Sequence, residues 1–280
     1  MTTPSTPNLY PHQHPHPQQP GYVSPVPVRR ATLADALASE WTKIRSVRST
    51  IWTLGVMVVL ILGVGVLVTL ALAGSSLPDD ASPITFGFVG VMLGVIPVIT
   101  LGVMTIASEY GTGMIRTTLT ACPSRARVLA AKSLVFFLLT FAITLVATVV
   151  QSALMVGALD GTANGGQWLR ATVGVSAFVA LIGLLSLAVG SLIRHSAGAI
   201  TLMIGLVLLP LVMALFMMTE ALEGAQSFLL EYSIPSQLAV FYGTEMTEGG
   251  LTGWTPLGIM AGLVAVVLAL AFVAQNKRDV

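Results

Sequence analysis

The sequence predicts an all-α polytopic membrane protein with six transmembrane helices and both termini cytoplasmic, preceded by an amphipathic interfacial helix. Three observations carry that prediction. Of 280 residues only 9% are charged against 55% hydrophobic, and mean hydropathy is +0.87. A water-soluble chain carries about 25% charged residues. The apolar residues gather into six runs, each near the ~20 residues that cross a hydrocarbon core of roughly 30 Å. Finally, lysine and arginine crowd into alternate connections between the runs. Twelve of the thirteen lie before the first run, between the second and third, between the fourth and fifth, or after the sixth. The other connections hold only Arg170. Basic residues near span ends stay on the cytoplasmic side, so this asymmetry places both termini there.

The runs fall near Ile51–Ala73, Phe86–Ala107, Leu134–Ala158, Thr172–Ile193, Ala197–Met218 and Leu257–Val273. Lipid offers the backbone no hydrogen bonds, so each must be helical. Residues 1–31 read as a disordered cytoplasmic tail rich in Pro, His and Gln. Met1–Val28 alone hold eight of the fifteen prolines, and His12, His14 and His16 gain no carboxylate or cysteine to complete a metal site. That stretch lacks the apolar core of a signal peptide, which leaves the first span as the insertion signal. Residues 32–280 form the transmembrane domain.

From Thr32 a helix over residues 32–49 is expected. Thr32 can cap it, with Asp35 three residues on. Leu33, Leu37, Trp41, Ile44 and Val47 recur at helical spacing, while Asp35, Glu40, Lys43, Arg45 and Arg48 take much of the remainder. Such a basic amphipathic helix suits the cytoplasmic membrane interface, with Trp41 toward the acyl chains and Lys43, Arg45 and Arg48 toward anionic lipid.

The connection after the second run is the most distinctive segment. Gly111 and Gly113 permit a sharp exit, Met114–Ala121 is long enough for two helical turns, and Pro123 ends them. Ser124 can cap the next helix, whose first turns carry Arg125, Arg127 and Lys132. A short helix between two breaks is more than a connector needs, and it reads as a docking element. Glu109, at the inner end of the second span, is expected either to pair with Arg116 or a partner's arginine or to stand as a solvated interfacial carboxylate. The long connection from Thr219 to Pro256 has no basic residue. Its apolar pieces Phe228-Leu229-Leu230 and Leu238-Ala239-Val240-Phe241 are too short to cross and are divided by Pro235. They read as paired short helices that dip into the outer leaflet or cover the bundle.

Several chemistries are excluded. No Gly-x-x-x-x-Gly-Lys-[Ser/Thr] occurs, so the chain has no P-loop, and neither His-Glu-x-x-His nor Cys-x-x-Cys appears. The net charge of +1 makes no electrostatic case for nucleic acid. Cys122, the single cysteine, forms no internal disulfide. The central turns of the spans hold no Asp, Glu, Lys, Arg or His, which weighs against a proton-driven carrier. Gly90/Gly94, Ser186/Gly190 and Gly258/Gly262 at four-residue spacing favour close helix packing. Pro97 and Pro210 should kink their helices. Thr100, Thr105, Thr140, Thr144, Thr148, Gln151, Ser152 and Thr201 are the expected lining of a weakly polar path, suited to an amphipathic or lipidic cargo.

These residues carry a resemblance. Leu37-Ala38-Ser39-Glu40-Trp41-Thr42-Lys43-Ile44-Arg45-Ser46-Val47-Arg48-Ser49-Thr50 resembles the leader of ABC-2 type ABC transporter permeases of actinobacteria. Glu109-Tyr110-Gly111-Thr112-Gly113-Met114-Ile115-Arg116-Thr117-Thr118-Leu119, then Pro123-Ser124-Arg125 and Ala130-Ala131-Lys132, is similar to that family's cytosolic turn. Ile234-Pro235-Ser236 resembles its outer motif more loosely, with Gln237 where the pattern has asparagine. The resemblance covers about residues 33 to 280. It implies an elbow helix carrying Trp41, Lys43, Arg45 and Arg48. It implies coupling to a separate ATPase subunit through Glu109, Tyr110, Gly111, Gly113, Met114, Ile115, Arg116, Thr117 and Leu119. It implies a re-entrant outer segment including Phe228, Leu229, Leu230, Pro235, Leu238 and Phe241. The implied assembly is two permease chains, alike or different, with two ATPases in a bacterial cytoplasmic membrane. ATP and Mg sit on the ATPase and no cofactor on this chain. A stand-alone secondary transporter and a non-transporting scaffold or sensor subunit are the alternatives.

Overall fold

The computed structural model describes residues 31–74, 82–159, 162–217, 219–244 and 250–277. The Pro/His/Gln-rich stretch predicted as a tail lies outside the described residues, apart from Ala31. Among the described residues there is no strand. Six helical segments are long and apolar enough to cross a membrane: Arg48–Leu72, Pro83–Gly111, Arg125–Ala158, Gly165–Ile193, Ser196–Phe216 and Thr255–Lys277.

Helix α1 (Leu33–Ser46) opens with the capping box that Thr32 and Asp35 predicted: each side chain bonds the other's backbone N–H. Val47 breaks it in an extended conformation, and α2 (Arg48–Leu72) starts at once. The elbow is thus shorter than residues 32–49, and the first span starts three residues earlier than its apolar run. A short 3₁₀ turn (Pro83–Gly87) leads into α3 (Phe88–Gly111), and α4 is the short helix Met114–Ala121. Helix α5 (Arg125–Ala158) has 34 residues. At 1.5 Å per residue it reaches about 50 Å, so its first basic turns project beyond a roughly 30 Å core.

Helix α6 (Gly165–Leu169) passes through a π turn (Arg170–Gly174) into α7 (Val175–Ile193). A π turn widens the helix by one residue per turn and is often found at functional places. Here Gly174 lies under the Phe241 ring, where a Cβ would come 2.8 Å from the ring edge. Helix α8 (Ser196–Phe216) is capped by His195, whose Nδ1 accepts from the Gly198 N–H. Two short helices, α9 (Glu223–Tyr232) and α10 (Ile234–Val240), stand in the long connection, with Pro235 in the first turn of α10. The final span is α11 (Thr255–Lys277), longer at its far end than its apolar run.

Helices α3 and α7 form the centre. The most apolar stretch of the fourth span is 72% buried and that of the second 56%, against 22%, 22% and 17% for the first, fifth and sixth. The three poorly buried spans therefore offer most of their apolar surface to lipid or to another chain. Gly102 of α3 lies against the carbonyl oxygen of Gly183 on α7, an approach only glycine permits. Around this contact Val95, Val98, Phe178, Val179 and Ile182 are fully enclosed. Of the predicted small-residue pairs, Gly90 and Gly94 pack tightly on Ile61, and Gly190 on Val103. Gly258 and Gly262 meet nothing within 4 Å, so that pair does not serve packing inside this chain. Pro97 and Pro210 both sit within continuous helices.

The polar residues expected along a path behave differently. Thr140, Thr144, Thr148, Gln151 and Ser152 recur along one face of α5, and all are buried between helices. Thr148 and Ser176 of α7 share a hydroxyl hydrogen bond of 3.3 Å. Gln151 Nε2 donates to the carbonyls of Ile61 on α2 and Gly87 in the 3₁₀ turn, at 3.2 and 3.3 Å. Within this chain Thr148 and Gln151 fasten helices together, and all five side chains are enclosed between helices instead of lining a conduit.

Candidate functional site

The site lies where α1, the end of α3, α4 and the start of α5 meet. Glu109 ends α3, and the chain turns through Thr112 and Gly113. Gly113 has φ +72°, a left-handed conformation that strains any residue with a Cβ, and it begins α4. Cys122 ends α4 in an extended conformation, and the Ser124 hydroxyl accepts from the Arg127 N–H to cap α5. Ile115 anchors α4 in the protein, with Leu119 half-buried beside it. Met114, Arg116, Thr117 and Thr120 are exposed, as are Gly111 and Gly113 in the turn. This leaves a small basic-and-apolar face, free of carboxylates, on a rigid two-turn helix.

Behind that face is a four-membered cluster of charges. Glu40 and Lys43 come from α1, Glu109 from α3 and Lys132 from α5. Lys132 Nζ lies 2.6 Å from Glu40 Oε2 and 2.9 Å from Glu109 Oε1. Lys43 Nζ lies 2.7 Å from Glu40 Oε1 and 2.9 Å from Glu109 Oε1. It also donates to Thr118 Oγ1 of α4 at 3.4 Å, joining the short helix to the cluster. Glu40, Glu109 and Lys132 are 2–3% exposed. Charges this far from water persist only when paired, and two carboxylates against two ammoniums give neutrality. Glu109 Oε2 is buried without a hydrogen-bond partner. Burial by itself disfavours the Lys43 ammonium, but the hydrogen bonds it donates to Glu40 and Glu109 and their negative charges outweigh it and hold Lys43 above its ordinary value.

The elements around the cluster are tied to it. Arg127 donates to the Ala31 carbonyl at 2.5 Å, holding the start of α1. Arg125 donates to the Gln275 carbonyl at 2.8 Å, holding the end of α11. Arg194, left-handed at φ +58° after α7, lies 4.8 Å over the Tyr110 ring. Between α1 and α4 runs a cleft of about 320 Å³ with Asp35, Ser39 and Lys43 on one wall and Met114, Thr117 and Ala121 on the other.

Two expectations about side chains need correction. Glu40 lies off the apolar stripe of α1 in the sequence, yet Ala36 and Glu40 are the buried positions of that helix, while Leu33, Trp41 and Val47 are exposed. Glu109 pairs with Lys43 and Lys132; Arg116 is exposed on α4. Lys43 accordingly points its ammonium into the protein, whereas Arg45 and Arg48 stay exposed. The outer residues belong to a different place. Pro235, Leu238 and Phe241 are buried and Phe228 is exposed, with Leu229 and Leu230 half-buried. Tyr242 beside them packs on Phe88 and accepts from Thr85, at the opposite end of α3 from Glu109.

The arrangement has no nucleophile with a base beside it, and no group of His, Cys, Asp or Glu among the described residues could hold a metal ion. It has instead a short exposed helix braced by buried charges against three longer ones. No curated protein matches the chain. The family model for ABC-2 family transporter protein matches residues 37–280, and the chain belongs to that family.

Proposed function

We propose that the chain works as the membrane-spanning subunit of an ATP-driven exporter, with α4 as the point where a separate ATPase subunit presses on it. The single observation that carries the reading is the mounting of α4. Its exposed face bears Met114, Arg116, Thr117 and Thr120, and its other face reaches the bundle through Ile115 and through Thr118 on Lys43. With α1 docked, a push on such a helix moves α1, α3 and α5 together, because one ion cluster binds all three. Membership of a transporter family supports the same reading. ATP and Mg belong to the partner, and a second permease chain covers apolar surface left open on the outer spans. The basic α4 end faces the cytoplasm of a bacterial cell, with both termini on that side. The aliphatic spans, without Asp, Glu, Lys, Arg or His in their central turns, favour an amphipathic or lipidic cargo over an ion.

Co-purification tests it. The ATPase subunit should be retained by the wild-type chain and lost when Met114–Leu119 is replaced by a Gly/Ser loop of equal length. An intact complex with the replaced loop would overturn the coupling role of α4.

A further inference from the structure

The four charges divide in a particular way. Glu40 and Lys43 are three residues apart on α1 and pair with each other at 2.7 Å. Glu109 and Lys132 both belong to the bundle and pair with each other at 2.9 Å. Each half is therefore neutral on its own. Lifting the body of α1 away breaks the crossing contacts, Glu40 to Lys132 and Lys43 to Glu109 and Thr118, but strands no charge, and the Arg127 bond to the Ala31 carbonyl tethers only the residue before the helix. The large penalty of a buried unpaired ion, which normally locks such clusters shut, does not arise.

Other features of α1 agree. Its buried residues are Ala36 and Glu40 alone, so apolar adhesion to the bundle is slight. Leu33, Trp41 and Val47 turn their apolar surface outward, where a lipid interface can hold the helix wherever it lies. Val47, extended between two helices, supplies a one-residue pivot. A cleft opens between α1 and α4, and Lys43 reaches across it to Thr118.

We propose that α1 is a detachable clasp: docked, its Glu40–Lys43 pair locks α4 through Thr118; undocked, it frees α4 and opens the Glu109–Lys132 pair to water. The clasp needs no ATPase to exist, so it can stand or fall independently of the exporter reading.

Two spin labels test it on the full-length chain in lipid nanodiscs. In a Cys122→Ser background, Ser39→Cys and Thr117→Cys place nitroxides on opposite walls of the cleft. Pulsed electron paramagnetic resonance should find a short distance and a minor longer one. Adding Glu40→Ala with Lys43→Ala should make the longer population the larger, while the melting temperature stays near that of the labelled parent. Glu109→Ala, which sets two ammoniums against one carboxylate, should lower the melting temperature sharply. An unchanged distance distribution in the double variant would overturn the clasp, as would a loss of stability as large as that of Glu109→Ala.

Discussion

Lys132 and Glu40, 92 positions apart, meet at 2.6 Å in the interior of the protein. That contact joins the helix before the first span to the third span. Replacing Lys132 by methionine would leave Glu40 and Glu109 sharing the single ammonium of Lys43. Removing one partner of a buried pair costs about 3–5 kcal/mol. Thermal unfolding in detergent should show Lys132→Met strongly destabilised, and addition of Glu40→Gln should recover much of the loss by restoring neutrality.

Alkaline pH should weaken the same region through Lys43. Its folded-state value lies above the ordinary 10.5, so protonated Lys43 favours the folded chain. This contribution is fully present below the unfolded value and disappears as pH rises through the folded one. Melting temperatures measured from pH 8 upward should therefore fall beyond about 10.5, the lysine reference. Lys43→Met, which has nothing to titrate there, should fall less steeply.

Much of this was legible in the sequence, for physical reasons. Spans are visible because lipid demands long apolar helices, and the sequence Gly113-Met114…Ala121-Cys122-Pro123 announces a short helix because glycine and proline act locally. The Thr32/Asp35 capping box is equally local. The break at Val47 had no such signal: neither glycine nor proline marks it. Glu40 illustrates the same limit. A glutamate three residues from a lysine on an amphipathic helix looks solvated, and only tertiary contact with Lys132 reveals it as interior. The hydroxyls of α5 misled for a related reason, since a polar stripe on a span can face a cavity or another helix.

Helix α8 offers a local test. The His195 ring accepts from the Gly198 N–H at 3.1 Å, satisfying a donor that the helix itself leaves open. Loss of an N-cap costs typically about 1 kcal/mol. His195→Ala should lower the melting temperature modestly, and His195→Asn, which keeps an acceptor at the cap, should not. Equal losses in both would mean that His195 acts through something other than its ring nitrogen.

The glycine contact at the centre should be far less forgiving. A Cβ on Gly102 would run into the Gly183 carbonyl oxygen, a backbone atom that cannot rotate aside. Helices α3 and α7 would have to separate, loosening the packing of Val98 and Phe178 around them. Forcing one extra carbon into a filled core costs roughly 1–3 kcal/mol. Gly102→Ala should therefore unfold at lower temperature in detergent. Gly258→Ala is the control, because a Cβ there meets open space within this chain. It should melt like the wild type as an isolated chain. If Gly258→Ala nevertheless weakens self-association in cross-linking or light scattering, the exposed face of α11 is where a second chain packs. If Gly102→Ala melts like the wild type, the close crossing of α3 and α7 is not what holds the centre together.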